Sequence, residues 1–210
     1  MKPMPSFLYK LYSKASLRVK AYARLRWRFC PFAEIESFAP KKARVIDMGC
    51  GFGLLANYLA LTSEDRDVLG IDLSEERITS ALGTIGERKN INFIRADIKN
   101  MDIADCDVVV MTDFLHHISF ERQEALLRDV FMRLKSGGRL ILQDIDSSCS
   151  WRYFFTKGLD QSLNMGEPLF YRDKNSWEKL LRRFDFDIKV FHRNVFFLSD
   201  ILFICDKKEE

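Results

Sequence analysis

Beyond Pro40 the chain alternates short apolar runs with segments of helical period. Runs at 44–48, 67–72, 91–96, 106–112 and 139–144 are predicted strands, and the patterns at 54–61, 74–88 and 120–134 are predicted helices. Several strands are apolar at successive positions. That is expected when helices cover both faces of a parallel sheet. Ser136-Gly137-Gly138 reads as a breaker before the fifth strand. A helix over 175–183 precedes two final strands, 186–193 and 200–206. Their connection is too short for a right-handed crossover helix, so this pair should be an antiparallel hairpin.

The first 40 residues follow another pattern. Over 6–29 a helical wheel gathers Leu8, Leu11, Tyr12, Ala15, Val19, Tyr22 and Ala23 on one face. Lys10, Lys14, Arg18, Lys20, Arg24 and Arg28 fall opposite, and Arg26 breaks the pattern. Pro31 can start a short second helix through Ser37. The organisation expected is an N-terminal basic helical extension, residues 1–40, followed by one α/β domain, residues 41–210.

Charge sharpens this division. Eight of the 33 Lys and Arg residues lie within residues 1–30, which hold no acid, leaving 25 basic against 30 acidic residues in the remainder. An acid-free basic helix is either a plain solvated face or an attraction for an anionic membrane surface or an acidic carrier protein. Nucleic acid is disfavoured, because the body is acidic and carries no RNA-binding module. Apolar residues make up 47 % and charged residues 30 % of the 210, as in soluble globular chains. No run is long enough for a bilayer span and no signal peptide is visible, so the expected location is cytoplasmic, with peripheral membrane contact as a variant. The five cysteines are scattered and form no C-x-x-C pair. They read as thiols in a reducing compartment, not as a disulfide framework or a zinc site.

The chemistry concentrates after the first strand. In VIDMGCGFG, Gly49, Gly51 and Gly53 follow a strand and open a helix, so backbone N–H groups can approach a ligand unobstructed. The dinucleotide fingerprint would need glycine where Leu54 stands, and the Gly-Lys-Ser/Thr ending of a phosphate loop is missing. Acids recur at strand ends instead: Asp47, Asp72 in VLGIDLS and Asp97 in IRADI. An acid after the second strand can accept from a ribose diol, and one after the third from an adenine amino group. Acids near the turn would repel a pyrophosphate and suit a cation. The implied ligand is a positively charged adenine nucleoside without phosphate.

VIDMGCGFG, VLGIDLS, IRADI, CDVVVMTDFLHHI and LKSGGRLILQDI together resemble the successive motifs of class I S-adenosylmethionine-dependent methyltransferases. The resemblance covers about residues 44–145. It implies a doubly wound, Rossmann-like seven-stranded sheet, mostly parallel, with the last strand antiparallel. It also implies S-adenosylmethionine as cofactor, with Asp47, Gly49, Gly51 and Gly53 at its amino-acid half, Asp72 at the ribose, Asp97 and Ile98 at the adenine, and Asp113 near the methionine portion.

His116 and His117 begin the segment after the fourth strand and are candidates for proton removal from an acceptor, His117 preferred; capping or packing is the competing reading. Residues 146–174 interrupt the strand and helix alternation and are rich in aromatics, among them Trp151, Tyr153 and Tyr171. Such an insertion can act as a lid over an apolar or aromatic substrate, or its rings can simply pack. The expectation is methyl transfer to a small, lipid-like or carrier-bound acceptor, at oxygen, without a metal. The alternatives are a non-catalytic module that binds the same cofactor, and an NAD-dependent enzyme disfavoured by Leu54.

Overall fold

The computed structural model describes residues 3–97, 105–148, 168–195 and 198–209. The chain divides into two compact units, Met1–Asp102 and Ile103–Glu210.

The first unit contains helices α1 (Ser6–Leu11), α2 (Leu17–Phe29) and α3 (Phe32–Phe38). Strand β1 (Ala43–Met48), helix α4 (Leu54–Leu61), strand β2 (Arg66–Asp72), helix α5 (Glu75–Leu82) and strand β3 (Ile91–Arg95) follow. β1, β2 and β3 pair in parallel, with Asp47 opposite Gly70 and Gly70 opposite Phe93. Gly70 has no room for a side chain, since an added Cβ would lie 2.4 Å from the Phe93 ring. The helix expected over 74–88 ends at Leu82. Gly83 closes it, and Thr84 caps it by donating its hydroxyl to the Ala81 carbonyl at 2.5 Å.

The single N-terminal helix expected over 6–29 is two helices. Ser16 takes an extended backbone and its hydroxyl accepts the Val19 N–H at 3.3 Å, starting α2 afresh. Both helices belong to the packed unit. Of the apolar face of the wheel, Leu8, Tyr12, Val19 and Ala23 are buried, whereas Tyr22 is exposed. Tyr12 donates its hydroxyl to the Phe52 carbonyl at 3.0 Å, and burial raises its phenol pKa above the ordinary value.

At the start of β2, the buried guanidinium of Arg66 fills a cage of carbonyls. It donates to Pro40 (2.8 Å), Leu59 (3.0 Å) and Ala39 (2.6 Å), to the Thr62 hydroxyl (2.8 Å), and pairs with Glu36 at 2.9 Å. One charged side chain thereby ties the end of α3, the end of α4 and the start of β2 together.

The second unit contains β4 (Cys106–Thr112), a 3-10 turn (Leu115–His117), α6 (Phe120–Arg133) and β5 (Leu134–Ile145). Helix α7 (Lys174–Arg182) and strands β6 (Phe186–Val195) and β7 (Leu198–Lys207) complete it. Ser136-Gly137-Gly138 does not stop the chain before β5. It sits inside the strand, where the register with β4 shifts between Cys106 and Val108 and Gly137 takes φ 71°. β7 runs antiparallel to both β5 and β6, the hairpin that the short connection requires. The strands form a seven-stranded sheet in the order β3-β2-β1-β4-β5-β7-β6.

Replacing Arg66 by Met should cost about 3 kcal/mol or more, since the carbonyls of its cage would stay buried without their donor and Glu36 would keep Lys41 but lose Arg66. The measurement is the urea midpoint. Burial acts to raise the Glu36 carboxyl, but hydrogen bonds from Lys41 and Arg66 outweigh it and hold the pKa below the ordinary 4.5. Its contribution is therefore full above pH 4.5 and lost as pH falls through the lower folded value. The Met variant should show a shallower acid limb.

Candidate functional site

The turn between β1 and α4 is built from glycines in left-handed backbone, with φ 73° at Gly49, 55° at Gly51 and 77° at Gly53. Side chains are excluded here for space as well. A Cβ at Gly53 would lie 2.6 Å from the Phe93 ring, and one at Gly51 would stand 3.3 Å from the Tyr22 hydroxyl.

Four backbone N–H groups of this turn are engaged within the protein. Those of Gly49 (2.8 Å) and Cys50 (3.0 Å) donate to the Ile71 carbonyl, and that of Gly53 donates to the Cys50 carbonyl at 2.9 Å. The Gly51 N–H donates to the Asp72 carboxylate at 2.9 Å. A turn whose amides are spent in this way makes a poor phosphate cradle.

Asp72 ends β2 and holds the turn. One oxygen accepts from Gly51, the other from the Ser74 N–H at 2.9 Å at the start of α5, with the Arg77 guanidinium 3.7 Å away. Asp47, 1 % exposed, accepts the Ala56 N–H at 3.1 Å through Oδ2, while Oδ1 is buried without a hydrogen-bond partner. Burial pushes its carboxyl up to about 7, and the negative charge of Asp72 adds to the rise; the Ala56 N–H and the positive charge of Arg26 oppose it. Arg26, which breaks the amphipathic pattern of α2, therefore acts on Asp47. A buried acid with an unsatisfied oxygen suits a cationic ligand, and the residues of this turn fit an ammonium-bearing nucleoside better than a dinucleotide.

The helices before β1 complete the surroundings of the turn. Tyr22 meets Phe52 edge-on at 5.0 Å, and the Asn57 amide lies within 3.2 Å of the Tyr12 hydroxyl and 2.8 Å of the Gly53 carbonyl. Asp97 follows β3 in an exposed position. Ile98 lies outside the described residues.

A second cluster forms in the other unit at the ends of β4 and β5. Asp113 follows β4 with φ 48°, a value rare outside glycine, and its carboxylate accepts from the Gln143 amide at 2.8 Å. His116 is buried. Its Nδ1 lies 2.5 Å from Asp144, whose other oxygen accepts the His116 backbone N–H at 3.3 Å. His117 is half-buried, its ring centre 4.2 Å from that of His116. Tyr171 stacks on His116 at 5.4 Å, and the Phe170 N–H donates to the His116 carbonyl at 2.8 Å. The buried Gln123 amide reaches the Leu115 and Phe170 carbonyls at 3.0 and 2.9 Å. Asp146 joins the two ends of the insertion by accepting from the backbone N–H groups of Ser148 (3.0 Å) and Lys174 (3.1 Å). Trp151 and Tyr153 lie outside the described residues. Among the described residues no group of three His, Cys, Asp or Glu side chains is placed to hold a metal ion, and no helix is long and apolar enough to cross a membrane.

Residues 45–138 match the family model of a methyltransferase domain. Over this stretch the chain is similar to methyltransferase domains. Over 114 residues the chain is 30 % identical to the carboxy-S-adenosyl-L-methionine synthase of Photobacterium profundum, covering 52 % of this chain and 47 % of that protein. The chain thus spans about half the length of the curated relatives it matches. In fold it is similar to magnesium protoporphyrin IX methyltransferase from Synechocystis PCC 6803, solved with bound S-adenosylhomocysteine (TM-score 0.71, 18 % identity, covering 95 % of this chain and 92 % of that one). It is also similar to an O-methyltransferase family protein from Burkholderia thailandensis (TM-score 0.72, 18 % identity, covering 95 % and 62 %).

The structure brings Asp47, Gly49, Gly51, Gly53 and Asp72 together around one turn, and places Asp113, His116, His117 and Tyr171 together in the other cluster. Sequence reading missed Arg26, Asp144, Gln143 and Gln123. Arg26 did leave a signal, as the one cation on the apolar side of its wheel. The others sit in strand and helix patterns that show no irregularity.

The raised Asp47 carboxyl sets a pH dependence for the ligand-free protein. Because the folded state holds the proton more tightly than the unfolded state, stability should fall as pH rises from about 4 to about 7 and then level off. Asp47→Asn should remove this slope and raise the thermal midpoint at pH 8. Thermal unfolding across that range checks it.

Proposed function

We propose that this protein transfers a methyl group from S-adenosylmethionine to the oxygen of a small, lipid-like or carrier-bound apolar or aromatic acceptor. The observation that carries the reading is the buried Asp47 oxygen without a partner, beside a glycine turn whose amides are already spent. That site asks for a cation and does not suit a pyrophosphate. The cofactor would supply an activated methyl group on a positively charged sulfur. Asp47 with the glycine turn would hold its amino-acid end, Asp72 its ribose, Asp97 and Ile98 its adenine, and Asp113 would line the methionine portion.

The protein's part is then mainly orientation and the exclusion of water. His117 is the proposed base for the acceptor proton, an imidazole being able to accept one near neutral pH. His116 is committed at Nδ1 to Asp144, so it serves to hold the segment that carries His117. Trp151, Tyr153 and Tyr171, on the insertion, are the proposed acceptor contacts. The proposed compartment is the cytoplasm, in keeping with the buried thiols of Cys50 and Cys205, whose pKa values burial raises.

The deciding experiment is incubation of the protein with methyl-labelled S-adenosylmethionine and a cell extract, followed by mass spectrometry. A labelled acceptor supports the reading. Cofactor binding with no labelled acceptor would overturn it in favour of a binding module, and a carboxylated cofactor would point to the activity named for the curated relatives.

Two variants test the residue roles. Asp72→Ala should weaken S-adenosylhomocysteine binding by about tenfold to 150-fold in calorimetry, the loss of a charge-assisted hydrogen-bond pair. Once the acceptor is known, His117→Ala should lower kcat by about 100-fold to 10,000-fold with cofactor affinity nearly intact. Near-normal kcat with the same acidic limb of the pH profile would assign His117 to packing.

A further inference from the structure

The inner face of α2 is accounted for by its packing. Its outer face is not. Seen along the helix axis, Leu17, Ala21 and Leu25 form an i, i+4, i+8 stripe, and all three are exposed. Leu17 is 83 % exposed and Leu25 56 %, unusual for leucine on a helix that has a buried side to offer. Arg18, Arg24 and Arg28 flank the stripe and are exposed as well.

Two of these cations, Arg18 and Arg24, keep their charge at the surface. Arg18 is 3.9 Å from Glu76, a pair in which both side chains are largely exposed. Arg24 is held upright by Tyr9, its guanidinium 4.9 Å from the ring centre and donating to the Tyr9 hydroxyl at 2.7 Å, which leaves its charge in place. Lys10 and Lys14 extend the positive field N-terminally, and residues 1–30 contain no acid to oppose it.

We propose that the outer face of α2 docks on an anionic lipid bilayer, with Leu17 and Leu25 entering the boundary between headgroups and acyl chains and Arg18 and Arg24 resting among lipid phosphates. A convex helix with apolar side chains standing between cations matches a surface that offers negative charge and apolar depth together. An acidic protein would satisfy the arginines but would need its own pocket for the two leucines. The inference does not depend on methyl transfer: it concerns exposed residues of α2, not the residues of the glycine turn.

The test is co-sedimentation of the full chain with phosphatidylcholine/phosphatidylserine vesicles and with pure phosphatidylcholine vesicles. Binding to the anionic vesicles alone is expected, and it should be lost near 1 M salt, where the Debye length falls to about 3 Å. Each basic side chain near the surface contributes about fivefold, so the double variant R18E/R24E should bind at least about 25-fold more weakly. Leu17→Ser with Leu25→Ser should weaken binding about tenfold while leaving its salt dependence. Both variants alter exposed side chains, and an unchanged thermal midpoint and cofactor affinity verify the fold; the leucine pair keeps the test open should the arginine variant misfold. Equal binding to neutral vesicles, or wild-type binding by either folded variant, would overturn the proposal. So would capture of a purified acidic carrier protein without any vesicle binding.

Discussion

The hydrogen bonds that close the turn after β1 onto the end of β2 are the constraint on which the first unit depends. Two amides of the turn meet the Ile71 carbonyl and a third meets the carboxylate of Asp72, the next residue. The strand end and the turn therefore fix each other, and left-handed backbone at three positions is the geometric consequence. Beside these internally used amides stands one buried acid, Asp47, whose unsatisfied oxygen gives the site its preference for positive charge.

The N-terminal helices are bound up with that turn. Tyr12 and Tyr22 reach Phe52 from α1's C-terminal cap and from α2, and the positive charge of Arg26 lowers the cost of ionising Asp47. A helix with an inner face bracing the glycine turn and an outer face of leucines and arginines does two separate things with its two sides. The burial of Val19 and Ala23 fixes which side is which.

In the second unit a different economy holds. The His116 and Asp144 pair is buried, and buried charge-capable groups are tolerated when their hydrogen bonds are satisfied on both sides. Asp144 meets the ring and backbone N–H of His116 and also the Ile145 N–H at 2.8 Å. Gln123 carries the adjoining carbonyls and accepts from Arg172 at 2.7 Å. Together they fix the 3-10 turn and the described end of the insertion in one orientation, which is what a candidate base at His117 requires.

The amino-acid sequence by itself determined the strands, the antiparallel last hairpin and the identity of the turn acids, because these rest on short-range periodicity, glycine spacing and connection length. It also marked Arg26 as out of pattern, without a reason. Tertiary structure decided what sequence periodicity cannot carry: that Ser16 breaks the N-terminal helix, that Ser136-Gly137-Gly138 is accommodated inside β5, and that the glycine turn spends its amides on Ile71, Cys50 and Asp72. It also paired His116 with Asp144, 28 residues away. Each of these depends on which group from a distant segment arrives within hydrogen-bonding distance, and a local pattern holds no record of that.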